Sequence, residues 1–314
     1  VPDYAKKLIN QGMILGNSAY VFRLKGTDTY LSNGLIEGKN VQAVHVDIKF
    51  VNSNNELNVE ELRKSQTQFS ESEFTHENEK FFVKREVEKM SKSKYNVVNP
   101  DDICEKYGAD TLRLYEMFLG PIDQAKPWNT AGITGTFSFL NKFWNLFHEN
   151  EKFIVNDKDP SKDALKILHK TIKKVTSDIE NFSFNTSVSA FMICVNELTS
   201  LSCNNRSILE DLCVLLSPFA PHICEELWRK LGNPESISSV NYPIFNPEFV
   251  KENNIEYPVS FNGKLRFKIN FDITMEEDQI KKIILKHEKT SKYLGDKDVK
   301  KVIIVPKKII NIVC

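Results

Sequence analysis

Between residues 133 and 232 apolar side chains recur at spacings of three and four, the period of an amphipathic helix. Ile133, Phe137, Leu140, Trp144 and Phe147 make one stripe, and Leu165, Leu168, Ile172, Val175 and Ile179 a second. Val188, Phe191, Val195 and Leu198 make a third, and Leu209, Leu212, Leu215 and Leu216 a fourth. Ile223, Leu227, Trp228 and Leu231 form the fifth, which Gly232 stops. Stripes of this kind joined by short polar loops predict an antiparallel helical bundle with these residues as its core.

The flanking patterns differ. Residues 4–16 read as a short amphipathic helix with Ala5, Leu8, Ile9 and Met13 on its buried side. From 17 to 88 the pattern is β-like, with apolar runs at Ala19–Phe22 and Val44–Val51 and a strongly polar stretch over 52–79. Residues 236–255, rich in Ser, Asn and Pro, read as a linker. Beyond it, Tyr257–Phe261 and Lys264–Phe271 flank Asn262-Gly263, a strong hairpin signal. Thr274 with Glu277 suggests a capping box for a helix through His287, with Ile280, Ile283 and Ile284 inward. Strands over Val299–Val305 and Ile309–Val313 complete a small α+β module.

Composition changes this picture little. In 314 residues, 41% hydrophobic and 27% charged, two or three globular domains fit. Basic and acidic residues balance at 42 each, yet from Lys251 onward 14 basic face 9 acidic residues, a polarity that suits a polyanion-facing module. No apolar run reaches the length of a membrane helix, and no signal peptide is visible. The cysteines, at 104, 194, 203, 213, 224 and 314, show neither CxxC nor a zinc spacing with histidine, so reduced structural thiols and no metal site are expected. His45 and His76 are too isolated to suggest ligands, and His222 reads as a packing and capping residue.

Chemistry concentrates at Lys89, Met90, Ser91, Lys92 and Ser93. Two ammonium groups and two hydroxyls in one short polar loop can close over a polyphosphate and neutralise charge as it develops. Asn99 as N-cap, Pro100 at the first helical position, then Asp101 and Asp102, predict a firmly capped helix at the loop's exit. By ordinary residue frequencies such a pentapeptide arises by chance on the order of once in ten thousand chains of this length.

Residues 89–120, KMSKSKYNVVNPDDICEKYGADTLRLYEMFLG, resemble the signature-loop region of class I aminoacyl-tRNA synthetases. Tyr107–Met117, Gly120-Pro121, Lys126–Asn129, Asn262-Gly263-Lys264 and Lys300–Pro306 extend the resemblance to bacterial-type leucyl-tRNA synthetases. Ser217–Ile223 resembles a segment shared by the anticodon-binding domains of the leucine, isoleucine, valine and methionine enzymes. The resemblance implies a multidomain α/β plus all-α chain. Residues 1–120 would end a Rossmann-like catalytic domain, with a β-rich insertion at about 17–88 and the loop at 89–93. Residues 121–235 would form a helical anticodon-binding domain, 236–255 a linker, and 256–314 a tRNA-contacting α+β domain.

The resemblance also implies leucine–tRNA ligase activity with ATP and its Mg²⁺. Lys92 and Lys89 would be catalytic, with Met90, Ser91 and Ser93 completing the ATP site. Asn10–Ile14 would lie near the adenylate pocket. Lys264, Arg266, Lys281, Lys282 and Lys286 would be phosphate anchors for tRNA(Leu). Localisation would be cytoplasmic. The chain carries no His-x-Gly-His motif and nothing like an editing domain, so it reads as a fragment or subunit that needs an N-terminal catalytic half. Two positions depart from the family pattern: Tyr95 and Phe267 each stand where Gly is usual. The alternatives are a non-catalytic RNA-binding module and a related enzyme for isoleucine, valine or methionine.

Overall fold

The computed structural model describes residues 5, 7–251, 254–295, 297–306 and 308–314. They form two compact units, Val1–Phe245 and Asn246–Cys314.

The first unit opens on a six-stranded sheet built around a long strand, β1 (Ile14–Leu24). β2 (Thr29–Leu31), β3 (Val41–Val46) and β5 (Lys84–Lys89) pair with it antiparallel, and β6 (Lys126–Pro127) pairs parallel; β4 (Glu73–Thr75) joins β2. A short helix, α1 (Val59–Ser65), packs Leu62 onto a core with Val21, Val46, Phe69 and Phe81. The β-like reading of 17–88 holds in outline. Its second apolar run leaves the sheet at Val46, and Ile48–Phe50 form a 3₁₀ turn capped by Asp47.

The helix expected over 4–16 is not there; Tyr4 and Lys6 lie outside the described residues. Residues 7–13 run irregularly and then enter β1, with Leu8 82% and Met13 53% exposed. The backbone here is claimed by a distant segment. Gly12 N–H donates to the Ile122 carbonyl at 2.8 Å, and Lys126 N–H donates to Met13 O at 3.0 Å. A Cβ on residue 12 would lie 1.9 Å from the Gln124 carbonyl oxygen, so this close approach demands glycine.

Two helices, α2 (Pro100–Tyr107) and α3 (Ala109–Phe118), lead from the sheet to the bundle. The Asn99 side chain accepts from Asp101 N–H as the predicted cap, and Gly108 at φ 86° separates the two helices. The bundle comprises α4 (Ile133–Asn145), α5 (Lys162–Glu180), α6 (Phe184–Ser200), α7 (Arg206–Leu216) and α8 (Pro221–Lys230), and the strands β7 (His148–Glu149) and β8 (Lys152–Phe153) form a small hairpin after α4. The predicted stripes supply its core, with one rotation. On α4 the inward face carries Phe139 and Phe143, while Phe137 is 38% exposed.

Asp110, at the start of α3, joins this helix to the bundle. Its carboxylate accepts the backbone N–H groups of His222 (3.2 Å) and Ile223 (2.7 Å), capping α8 from a distance in sequence, and also holds His222 Nδ1 at 2.8 Å. The His222 side chain stays largely exposed, so Asp110 and not His222 does the capping. Part of the expected linker also packs here, since Ile237 is buried and Val240 and Phe245 lie against the bundle core.

The second unit is a four-stranded sheet in the order β10-β9-β12-β11, with α9 (Glu277–Lys286) and α10 (Glu288–Leu294). Here β9 is Asn254–Phe261, β10 Lys264–Asp272, β11 Lys301–Val305 and β12 Ile309–Val313. The β9–β10 turn has Asn262 at φ 48° and Gly263 at φ 81°, the left-handed pair the dipeptide predicts. The cap of α9 is Glu276 paired with Gln279, not Thr274 with Glu277, because Asp272 takes both Thr274 N–H and Thr274 Oγ1–H. Ile280 and Ile284 are buried, whereas Ile283 is exposed. Phe267 is a core residue, stacked on His287 at 5.3 Å, and so fills space that a glycine would leave empty.

Candidate functional site

Strand β5 delivers the loop. Lys89 is its last residue, paired with Leu15 of β1, so the first lysine of the signature is fixed by the sheet and is not part of the loop proper. Ser91 is extended, Lys92–Lys94 form a 3₁₀ turn, and Tyr95 N–H donates back to Lys92 O at 3.2 Å. Tyr95 sits at φ 52°, ψ 34°, the left-handed region that favours glycine. The departure noted in the sequence therefore falls where the backbone reverses.

Asn96 fixes the loop from beneath. Its side chain is buried, and its Oδ1 accepts Ser91 N–H at 2.8 Å while its Nδ2 donates to Ser18 Oγ at 2.8 Å. Gly16 of β1 makes the approach possible, since a Cβ there would lie 2.5 Å from the Asn96 carbonyl oxygen. Ser91 and Ser93 share a hydroxyl–hydroxyl hydrogen bond of 2.9 Å. The Met90 side chain packs with Ile103, Tyr115 and Trp128, anchoring the loop's start on an apolar cluster.

Charge is divided unequally among the lysines. Lys94 forms an ion pair with Glu88, whose carboxylate also accepts from Tyr20 OH and meets His45 Nε2, each at 2.9 Å. The Lys94 ammonium first, then the Ser18 hydroxyl, His45 and Tyr20, hold the Glu88 carboxyl well below the usual carboxylate range. Burial, reinforced by the Glu88 charge, pushes the Tyr20 phenol up to about 12. Lys89 and Lys92 are exposed and have no ion-pair partner among the described residues. Their ammonium groups are free to meet an anion, and Lys94 is not.

The remaining candidate residues lie elsewhere. Lys282 and Lys286 are exposed on α9 one turn apart, and Lys264 is exposed beside the hairpin turn. Lys281 is paired with Asp278 at 3.3 Å, and the Arg266 guanidinium lies 5.4 Å from the Tyr293 ring centroid. Asn10–Ile14 touches a cavity of about 320 Å³ through Gln11, Gly12 and Ile14, with Arg113, Glu116 and Lys126 opposite. A larger one, about 770 Å³, opens beside His222 and Arg229 and contains no loop residue. Glu88, Tyr20, Asn96 and Ser18 carry no mark in the sequence, where His45 looks isolated. They come together only when β1, β3 and β5 pair, and no local motif marks them.

Two family models match the chain: tRNA synthetases class I (I, L, M and V) over residues 78–128, and the anticodon-binding domain of tRNA ligase over 161–282. The chain is 58% identical over 313 residues to the leucine–tRNA ligase of Christiangramia forsetii, covering 100% of this chain and 32% of that protein. It is 60% identical over 309 residues to the leucine–tRNA ligase of Flavobacterium johnsoniae, covering 98% and 32%. The chain belongs to the leucyl-tRNA synthetase family. It corresponds to a C-terminal part and spans about a third of the length of these leucyl-tRNA synthetases. It is also similar to the Agrobacterium radiobacter K84 LeuRS in its LeuRS–tRNA–LeuAMS ternary complex, at 30% identity and a TM-score of 0.53 over 72% of this chain and 31% of that one. The 78–128 match contains β5, the loop, α2 and α3, so the free lysines lie inside a recognised synthetase segment.

Proposed function

We propose that this chain is the part of a leucine–tRNA ligase that handles the phosphates of ATP and binds tRNA(Leu). The observation that carries the reading is the pair of free ammonium groups, Lys89 at the end of β5 and Lys92 at the start of a turn pinned by buried Asn96. In the first step the leucine carboxylate attacks the α-phosphorus of ATP and pyrophosphate leaves. Phosphoryl chemistry of this kind asks a protein chiefly for positioning and charge stabilisation. Lys92, with Lys89 behind it, donates to β- and γ-phosphate oxygens as negative charge accumulates on the leaving group. The Ser91 and Ser93 hydroxyls lie on the same turn, and Met90 ties it to the apolar cluster.

In the second step a ribose hydroxyl at the tRNA 3′ end takes the leucyl group. Mg²⁺ would accompany ATP and share in neutralising its phosphates. Residues 1–120 belong on this reading to the catalytic domain, 121–235 to the anticodon-binding helices, and 256–314 to a tRNA-contacting domain. There Lys264, Arg266, Lys281, Lys282 and Lys286 meet backbone phosphates. Leucine selection and the other ATP-binding signature fall to an N-terminal catalytic half outside this chain. On this reading the setting is cytoplasmic. Among the described residues no helix is long and apolar enough to cross a membrane.

The test is Lys92→Ala in a full-length enzyme carrying these residues. Adenylate formation slows on the order of a hundredfold while leucine affinity is unchanged. An unaltered rate of leucine-dependent ATP–pyrophosphate exchange removes Lys92 from the chemistry.

A further inference from the structure

We propose that Glu88 is a positioning residue for the loop, holding Lys94 back against the sheet so that Lys89 and Lys92 alone meet the polyphosphate. The proposal rests on the reading that this loop acts on ATP.

Glu88 stands on a rigid floor. It lies in β5 opposite Gly16, while Tyr20 of β1 pairs across the sheet with His45 of β3. The Tyr20 and His45 rings are 4.4 Å apart, and both reach the same Glu88 oxygen at 2.9 Å. The second oxygen is left for Lys94. This carboxylate is thus oriented by two side chains from two strands before it meets the loop. The Glu88 and Lys94 side chains are 21% and 32% exposed, sheltered enough that their attraction is only partly screened by water.

The position of Lys94 in the turn gives the ion pair leverage. It ends the 3₁₀ turn that begins at Lys92, and its own N–H donates to Ser91 O at 3.0 Å. Asn96 holds the backbone at Ser91, and Glu88 holds the far end through the Lys94 side chain. With both ends fixed, the segment carrying Lys92 has little freedom left. A cation already in place needs no reorganisation when charge develops on a leaving group, which is how preorganised donors lower a barrier. Without Glu88, Lys94 becomes a third mobile ammonium that competes for the same phosphate oxygens.

The experiment is leucine-dependent ATP–pyrophosphate exchange by a full-length enzyme carrying these residues, measured as separate kcat and KM values. Glu88→Gln and Lys94→Met each lower kcat on the order of tenfold and leave the leucine KM unchanged. The double variant is no worse than either single one, because both remove the same tether. Lys94→Arg, which keeps an ion pair to Glu88, recovers most of the rate lost in Lys94→Met. Lys94→Met also keeps the test available should Glu88→Gln fail to fold, since it leaves the Tyr20–His45–Glu88 cluster intact.

Wild-type kcat for Glu88→Gln and Lys94→Met, with Lys92→Ala impaired, overturns the positioning role and spares the ATP reading. Losses that multiply in the double variant overturn it too. Wild-type exchange by Lys92→Ala overturns the ATP reading and this proposal together.

Discussion

Asn96 Nδ2 lies 2.8 Å from Ser18 Oγ, joining the loop to the central strand of the sheet through two side chains that are almost wholly buried. The other end of the same amide accepts Ser91 N–H. Asn96→Ala therefore strands the Ser91 backbone donor and removes the donor to a buried hydroxyl. The expected loss is about 1–3 kcal/mol of unfolding free energy. Urea denaturation of this chain checks it, and an unchanged midpoint contradicts the anchoring described here.

Tyr95 occupies left-handed backbone at φ 52° and is 39% exposed. Left-handed backbone costs a side-chain-bearing residue about 1–2 kcal/mol, and the exposed ring recovers only part of it. Tyr95→Gly is expected to leave stability unchanged or raise it by up to about 1 kcal/mol, despite the extra freedom glycine gives the unfolded chain. A clear fall in thermal midpoint, instead, shows that the ring makes a contact worth more than the strain.

Glu88 gives the stability of this chain an acid limb. Its carboxyl titrates below its ordinary value near 4.5 in the folded state, chiefly because of Lys94. A depressed carboxylate contributes its full stability above the unfolded pKa and loses it as pH falls toward the folded one. The wild-type chain should lose stability progressively below about pH 4.5, and Glu88→Gln should show a shallower decline there. Parallel curves for the two proteins below that pH contradict the assignment.

Much of this architecture is legible in the residues because the deciding interactions are local. Asn262-Gly263 dictates its turn whatever surrounds it, and Asn99-Pro100 caps α2 with atoms two residues away. The bundle's stripes are legible because one buried face must recur at the helical period. The failures share a different cause. Residues 7–13 show helical spacing but surrender their backbone to Ile122 and Lys126, more than a hundred positions on. Thr274 looks like a cap until Asp272 takes its donors. Phe137 and Phe139 are both aromatic, and only the neighbouring helices decide which of them turns inward. In the loop, the signature residues declare themselves, whereas Glu88, Asn96 and Ser18 acquire their roles only from strand pairing.

On the function proposed above, this chain supplies the phosphate-handling loop of a leucine–tRNA ligase and an N-terminal part supplies the rest of the active site. The decisive measurement is leucine-dependent ATP–pyrophosphate exchange, for this chain alone and then mixed with a separately produced N-terminal part of the enzyme. The chain alone should give no exchange, and the mixture should give exchange that requires leucine and is lost with Lys92→Ala. A mixture shown to associate, yet silent in exchange, contradicts it.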